Sequence, residues 1–318
     1  MSQDAPAHPS EQPPQVSIVI ATYNRSNVLR FTIASVLRQS VRDWEMIVVG
    51  DACTDDTEQV VAGFGDPRIR FFNLPENSGE QTGPSNAGLR LARGRFVAFL
   101  NHDDLWFPDH LEHCLREIEQ TSADLVFSLG IVVAPDGRRW LLGASDSAWY
   151  GPHIQAPASS WLARRELIES LGGWRSARQL FGIPSQDLLF RAWKAGKRLR
   201  ATHRVSLFVI QSGVRQGSYA NRDELEHKLA FERMISDSSF RETEFSLAAV
   251  ALFRRSESVQ VWPLLKRIVR NIIYRICIRL GLSCQEVMMR WQHRSRGRLL
   301  DELRRTRGLP KMNWKKSA

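Results

Sequence analysis

The chain places two adjacent carboxylates, Asp103 and Asp104, behind Asn101 and His102, and this group follows directly on the apolar run Arg95–Leu100. Hard divalent cations take oxygen ligands, and open α/β sheets gather ligands outside the carboxyl ends of their strands, so an acidic strand end suits a cation that holds phosphates. The same arrangement recurs at Gly50 and Asp51, after the run Glu45–Val49. A third carboxylate, Asp187, opens the apolar-periodic stretch Leu188, Leu189, Ala192 and Trp193, behind Ser185 and Gln186. A carboxylate at a helix start is an N-cap or a general base, and the two roles are compatible because the helix terminus fixes where the group points.

These residues must be positioned by a scaffold, and the sequence reads as one that alternates strands and helices. Strands are predicted over Val16–Ala21, Glu45–Val49, Arg68–Leu74 and Phe96–Leu100, with a helix between the first two carrying Val28, Leu29, Ile33, Val36 and Leu37 at three- and four-residue spacing. Alternation of this kind implies a parallel sheet. Pro108 starts a helix over 109–120, and beyond Gly151 the alternation breaks: Ser159–Leu171 reads as helical, Gln186–Lys194 as a helix, Val205–Gln211 as a strand and Ser212–Arg222 as a long loop.

Composition narrows the class. The 318 residues are 43% hydrophobic and 25% charged, as in an ordinary globular protein. No apolar run reaches the length of a membrane span, and the polar, Pro-rich residues 1–15 read as a disordered tail rather than an export signal. The four cysteines, Cys53, Cys114, Cys277 and Cys284, lack metal-site spacing and read as reduced cytosolic thiols. The net charge of +10 is unevenly spread: Arg254–Ala318 holds 17 Lys and Arg against 4 Asp and Glu, while the rest holds 27 against 30. A nearly neutral body over 16–225 thus carries a basic helical extension over 226–318. Within it Val261, Leu264, Leu265, Ile268, Ile272, Ile273 and Ile276 share one helical face, with Lys266, Arg267 and Arg270 turned away. Such a helix either docks on its own domain or lies on an anionic membrane face. Nucleic acid ranks last, since no nucleic-acid motif is present.

Four segments in order, Val16–Asn24, Val49–Asp56, Asn77–Gly88 and Asn101–Asp104, followed by Ser185–Gln186–Asp187, resemble the family-two glycosyltransferases of the GT-A fold, and the likeness covers roughly Val16–Arg222. It implies a Rossmann-like α/β domain with a mostly parallel central sheet and inverting transfer of a sugar from a nucleotide-diphosphate sugar to an acceptor hydroxyl. It also implies Mg²⁺ or Mn²⁺ as cofactor and a glycan or lipid-linked acceptor in envelope or polysaccharide synthesis, at a cytoplasmic location that includes the inner membrane face. By the same likeness Thr22, Tyr23, Asn24, Asp51, Asn86 and Asn101 contact the nucleotide, Asp51 reading a uracil or thymine imide. Asp103 holds the metal, Asp187 is the general base, and Asp104, Gln186 and Arg215 face donor or acceptor, Arg215 by neutralising diphosphate. Asp51 alone would read better as an N-cap, and Asp55 and Asp56 complement a helix dipole. His102 is expected on the opposite side of its segment, packed at the surface. Family members have an acid where this chain has Asn101 and an Arg where it has Ser85. The competing reading is a silent scaffold that binds nucleotide or glycan; a nucleotidyltransferase would need a basic Gly-rich loop where Thr22, Tyr23 and Asn24 stand.

Overall fold

The computed structural model describes residues 12–144, 147–257, 269 and 272–310. The four predicted strands form as β1 (Val16–Thr22), β2 (Trp44–Gly50), β3 (Ile69–Asn73) and β4 (Phe96–Asn101), all mutually parallel in the order β3-β2-β1-β4. The runs of β1, β2 and β4 are buried and the edge strand β3 is half-buried, with helices α1 (Ser26–Leu37), α2 (Thr57–Ala62) and α3 (Thr82–Leu91) connecting them. The pairing is in phase, with Thr22 opposite Gly50 and Ala21 opposite Asn101. Three carboxyl ends therefore finish side by side.

The second half turns the sheet mixed. After β5 (Asp104–Trp106) and α4 (His110–Thr121), strands β6 (Leu125–Val133), β7 (Arg139–Leu142), β8 (Trp161–Arg164) and β9 (Leu199–Ile210) extend it to β3-β2-β1-β4-β8-β6-β9-β5, with β7 paired on β6. Ser159–Leu171, read from sequence as one helix, is instead a turn at Ala158–Ser160, strand β8 and a short helix α5 (Arg165–Ser170). The reason is tertiary: Trp161, Leu162 and Ala163 are buried between β4 and β6, where strand pairing satisfies their backbone. Helix α6 (Pro184–Lys194) begins on Pro184, whose fixed φ suits a first turn. The segment 212–222, expected as a loop, contains the single-turn helix α7 (Ser218–Asn221).

The C-terminal part packs on this body. Helix α8 (Leu225–Ser236) lies against α1, and α9 (Phe240–Glu257) lies on β7 and β6, with Phe240 buried among Phe107, Ile131, Phe208 and Ile210. Helices α10 (Cys284–His293) and α11 (Arg298–Thr306) follow. Of the predicted amphipathic stretch, 261–268, 270 and 271 lie outside the described residues, and 272–279 is helical.

Asp109 anchors α9. It accepts from Arg241 at 2.6 and 3.0 Å and also from Arg204 on β9. Burial works against its charge, yet the two guanidiniums outweigh burial and hold the carboxyl down at about 2. A depressed pKa stabilises the fold above the unfolded value and is lost as pH falls through the folded one. Asp109→Asn should therefore be less stable than wild type in urea at pH 7, and the gap should close as pH drops from about 4 towards 2. A pH-independent gap would mean the pair acts through packing instead.

Candidate functional site

A cavity of about 380 Å³ opens over the ends of β1, β2 and β4, a size suited to a small-molecule ligand. Ala21, Thr22 and Tyr23 line it from β1, Asp51 from the end of β2, and Asn101, His102 and Asp103 from β4. In-phase parallel pairing is what makes these chain-distant residues neighbours. The remaining wall comes from Gly79 and Glu80, Gln186 at the head of α6, Tyr219, and Leu303, Arg304 and Arg307 on or beside α11.

Asp51 is held by the loop it braces. Ser78 donates to it from both backbone N–H and hydroxyl at 2.7 Å, and the Gly79 N–H donates at 3.0 Å. Burial raises the Asp51 pKa despite these donors. From the other side Arg304, 5% exposed, donates to the Gly79 carbonyl at 2.9 Å and to the Pro310 carbonyl at 3.0 Å. The 78–79 turn is thus gripped through its N–H groups by one strand end and through its carbonyl by the C-terminal helix.

The acidic pair divides its labour. Asp104, 2% exposed, accepts from Ser159 Oγ at 2.5 Å and from the Asn101 side-chain amide at 2.8 Å. Burial, and then the adjacent Asp103 charge, push its pKa up to about 8, which favours its protonated form, and it braces its neighbours. Asn101 suits this arrangement because its amide can donate, as an aspartate could not. Burial also opposes the Asp103 charge, but His102, His227 and the cations Arg25 and Arg307 more than offset it, and Asp103 stays below the usual carboxylate range. Asp103 is accordingly the ionised carboxylate of the pair. No group of three or more His, Cys, Asp or Glu among the described residues is arranged to hold a metal unaided. A single ionised carboxylate on a cavity wall does fit a Mg²⁺- or Mn²⁺-type ion that completes its shell with substrate phosphates and water.

Several predicted residues stand elsewhere. His102, expected to face away, lines the cavity, its Nδ1 lying 3.2 Å from the Ala21 carbonyl oxygen. Asn24 is not on the cavity wall: in a left-handed conformation at φ 47°, its side chain accepts from the Thr54 and Asp55 N–H groups and donates to Thr54 Oγ1, holding the loop after Asp51. Asn86 points the other way, accepting from the Trp174 N–H and donating to the Trp174 carbonyl, both at 2.9 Å. It satisfies a backbone that the left-handed Gly172 and Gly173 turn into the fold. Arg215 pairs with Glu226 and, at 3.6 Å, with Asp223, and it too is off the cavity wall. Asp55 and Asp56 bind Thr57, Ser26 and Arg222 around the α1 and α2 starts, as local bracing residues do.

Asp187 lies in a smaller adjoining pocket with Gln186, Ser283 and Glu286. Gln186 also lines the main cavity, so the two spaces share a wall. Asp187 pairs with Arg191 at 2.7 Å, one helical turn on, and with the exposed Arg175 at 3.5 Å. The sequence reading missed Tyr219, Arg304 and Arg307. Their signal was present only as net basicity and as the leucines 299, 300 and 303, a pattern that any docked helix shares.

Parallel strands ending in Asp51 and Asp103 at one cleft, an antiparallel extension and a helix bearing Asp187 beside it make an α/β domain of the GT-A fold. Residues 17–165, just under half of the chain, match the family model described as Glycosyl transferase family 2. Over 126 residues the chain is 39% identical to the putative teichuronic acid biosynthesis glycosyltransferase TuaG of Bacillus subtilis, covering 39% of this chain and 50% of the relative. Over 97 residues it is 38% identical to the glucosyltransferase WfgD of Escherichia coli, covering 30% and 38%. The chain therefore spans half or less of these relatives' lengths. Among solved structures, S. aureus TarS with UDP-GlcNAc superposes with a TM-score of 0.53 at 16% identity over 92% of this chain and 87% of that one. The mannosyltransferase PcManGT of Pyrobaculum calidifontis, with GDP-Man and Mn²⁺, gives 0.53 at 19% identity over 89% and 88%. At such identities these neighbours speak for the fold.

The placement of Asn86 generates a prediction. Asn86→Ala strands two buried backbone groups and should lower stability by roughly 1–3 kcal/mol, while the folded protein keeps its nucleotide affinity. Thermal melts and calorimetric titration check the two halves; weakened nucleotide binding with an unchanged melt would return Asn86 to the site.

Proposed function

We propose that the chain transfers a sugar from a nucleotide-diphosphate sugar to an acceptor hydroxyl with inversion, in the assembly of a polysaccharide. The observation that carries this reading is the joint placement of Asp51, Asp103 and Gln186 on one donor-sized cavity, with Asp187 next to Gln186 on the same helix. The relatives named for teichuronic acid, succinoglycan and undecaprenol-linked glucosyl transfer support a polysaccharide or lipid-linked acceptor.

In this reading Asp51 and the 78–79 turn receive the base and ribose, with Thr22, Tyr23 and Asn101 beside them. Asp103 would hold Mg²⁺ or Mn²⁺, and such an ion would supply positive charge to the departing diphosphate. Asp104 keeps Asn101 and Ser159 in place. Asp187 accepts the proton of the acceptor hydroxyl, and its pair with Arg191 at 2.7 Å orients the carboxylate along α6. One carboxylate suffices for a single displacement, which inverts the anomeric centre. Gln186 lines both the main cavity and the small pocket that holds Asp187, so the proposed base stands next to the donor space.

The test is a panel of nucleotide sugars with Mn²⁺ or Mg²⁺, followed as binding and as nucleoside diphosphate release. Asp187→Asn should bind donor as wild type does and lose turnover by ~10²–10⁴-fold. The scaffold reading, to which Asn101 and the ion pairs of Asp187 lend weight, expects binding without turnover in wild type as well. Absence of donor binding across the panel would overturn the transferase reading and leave, of the scaffold reading, only glycan binding.

The same reading includes contact with an anionic membrane surface. Ile272, Ile273, Ile276, Leu280, Val287, Met288 and the 89%-exposed Trp291 present apolar area on a segment that also exposes Arg275, Arg279 and Arg290, the pairing an interfacial segment uses. Among the described residues no helix is long and apolar enough to cross a membrane. The full chain should co-sediment with phosphatidylglycerol vesicles, less so at high salt, and the variant Ile276→Ser, Leu280→Ser, Trp291→Ser should lose most of this binding. Equal sedimentation of the two would place the membrane contact elsewhere or remove it.

A further inference from the structure

Of the Lys and Arg side chains among the described residues, only Arg304 and Arg307 line the main cavity, and both come from the C-terminal segment beyond the family-matched 17–165. They are in different states. Arg304 is consumed by the carbonyls of Gly79 and Pro310. Arg307 has a buried Nε with no hydrogen-bond partner, and no carboxylate lies within ion-pair distance of it among the described residues. Its guanidinium is steered instead by Tyr219, whose ring centroid lies 5.7 Å from the Arg307 Cζ and 5.1 Å from that of the buried Arg25. A cation over an aromatic face is held in direction without using up its N–H donors.

The guanidinium stands by Asp103. A Cβ added at Gly213 would lie 3.7 Å from both Nε and Nη2 of Arg307 and 3.7 Å from Asp103 Oδ2, so the two groups flank one point without joining in an ion pair. A half-buried guanidinium whose buried Nε lacks an acceptor, beside a carboxylate, is an unfinished site, and the ligand that completes it brings oxygen acceptors and negative charge. Phosphate oxygens meet both needs, and Arg is shaped to bind them through two parallel hydrogen bonds.

We propose that Arg307 binds the diphosphate of the nucleotide donor directly, so that the C-terminal helix α11 is a wall of the donor site rather than an appendage; this rests on the donor reading given above. The charges support it. A divalent ion and Asp103 together leave one positive charge against the two negative charges of a nucleotide-sugar diphosphate, and Arg307 supplies the balance. Asn101 adds no negative charge that a further cation would have to offset. Arg304 has a positioning role, fastening α11 to the 78–79 turn that Asp51 also holds. The arrangement makes occupancy of the donor site and docking of residues 298–309 mutually reinforcing.

The experiment is calorimetric titration of the full chain, with Mg²⁺ present, against the nucleosides, their monophosphates and their diphosphates for uridine, thymidine, guanosine, cytidine and adenosine. For the base that wild type prefers, Arg307→Ala should weaken diphosphate binding by roughly tenfold to a hundredfold, the size of a lost hydrogen bond to a charged group. Binding of the nucleoside should be unchanged, which also shows that the variant is folded. Arg307→Lys should recover part of the loss, keeping the charge without the fork. Equal diphosphate affinity in wild type and Arg307→Ala overturns the proposal and leaves the donor reading standing. An equal loss for nucleoside and diphosphate overturns it in favour of a structural role. A wild type that binds no nucleoside diphosphate brings down the donor reading first, and this proposal with it.

Discussion

Parallel strands that pair in phase must end together, and this constraint is the one on which the site depends. Thr22 lies opposite Gly50 and Ala21 opposite Asn101, so the polar residues that follow each apolar run emerge along one edge. The interiors of β1, β2 and β4 are buried, and the polar side chains the strands carry, such as Ser17, Glu45 and Arg70, are spent on one another. Function is thereby confined to the residues just past the strand ends, where backbone pairing stops and side chains are free to face a ligand.

Electrostatics then sorts residues that are chemically alike. Asp103 and Asp104 are adjacent carboxylates with opposite fates: Asp104 is buried against Ser159 and Asn101 and keeps its proton, while Asp103 stays ionised among Arg25, Arg307 and two histidines. Two charged carboxylates so close would repel one another in a low-dielectric setting, and protonating one relieves the conflict. Asn101 belongs to the same logic, since its amide donor replaces what would have been a third negative group. The result is one ionised carboxylate of this pair on the cavity wall, faced by Arg25 and by Arg307 from the opposite end of the chain.

That borrowing changes the standing of the C-terminal region. Helix α9 is tied down by Asp109 and by Phe240, and α11 closes over the cavity through Arg304 and its leucines. The basic charge that distinguishes this region in composition is thus partly inward, serving the cavity, and partly outward, beside the exposed apolar side chains of 272–291. A charge count cannot separate the two uses, because both come from the same residue type.

The sequence by itself determined what depends on short-range order: the four parallel strands, the helices between them, and the acidic strand ends at Asp51 and Asp103. Each is announced by a periodicity and a break within a dozen residues, and parallel pairing follows from the alternation. Tertiary structure alone decided the rest. The stretch 161–164 became a strand because a sheet edge lay open beside β4, overriding its helical reading. Asn24, Asn86 and Arg215 left the cavity because nearer partners satisfied their polar groups, and His102 entered it. Arg307 reached the site across two hundred residues of chain from Asp103, at a distance that no local pattern encodes; only packing brings a C-terminal helix and a strand end together around one void.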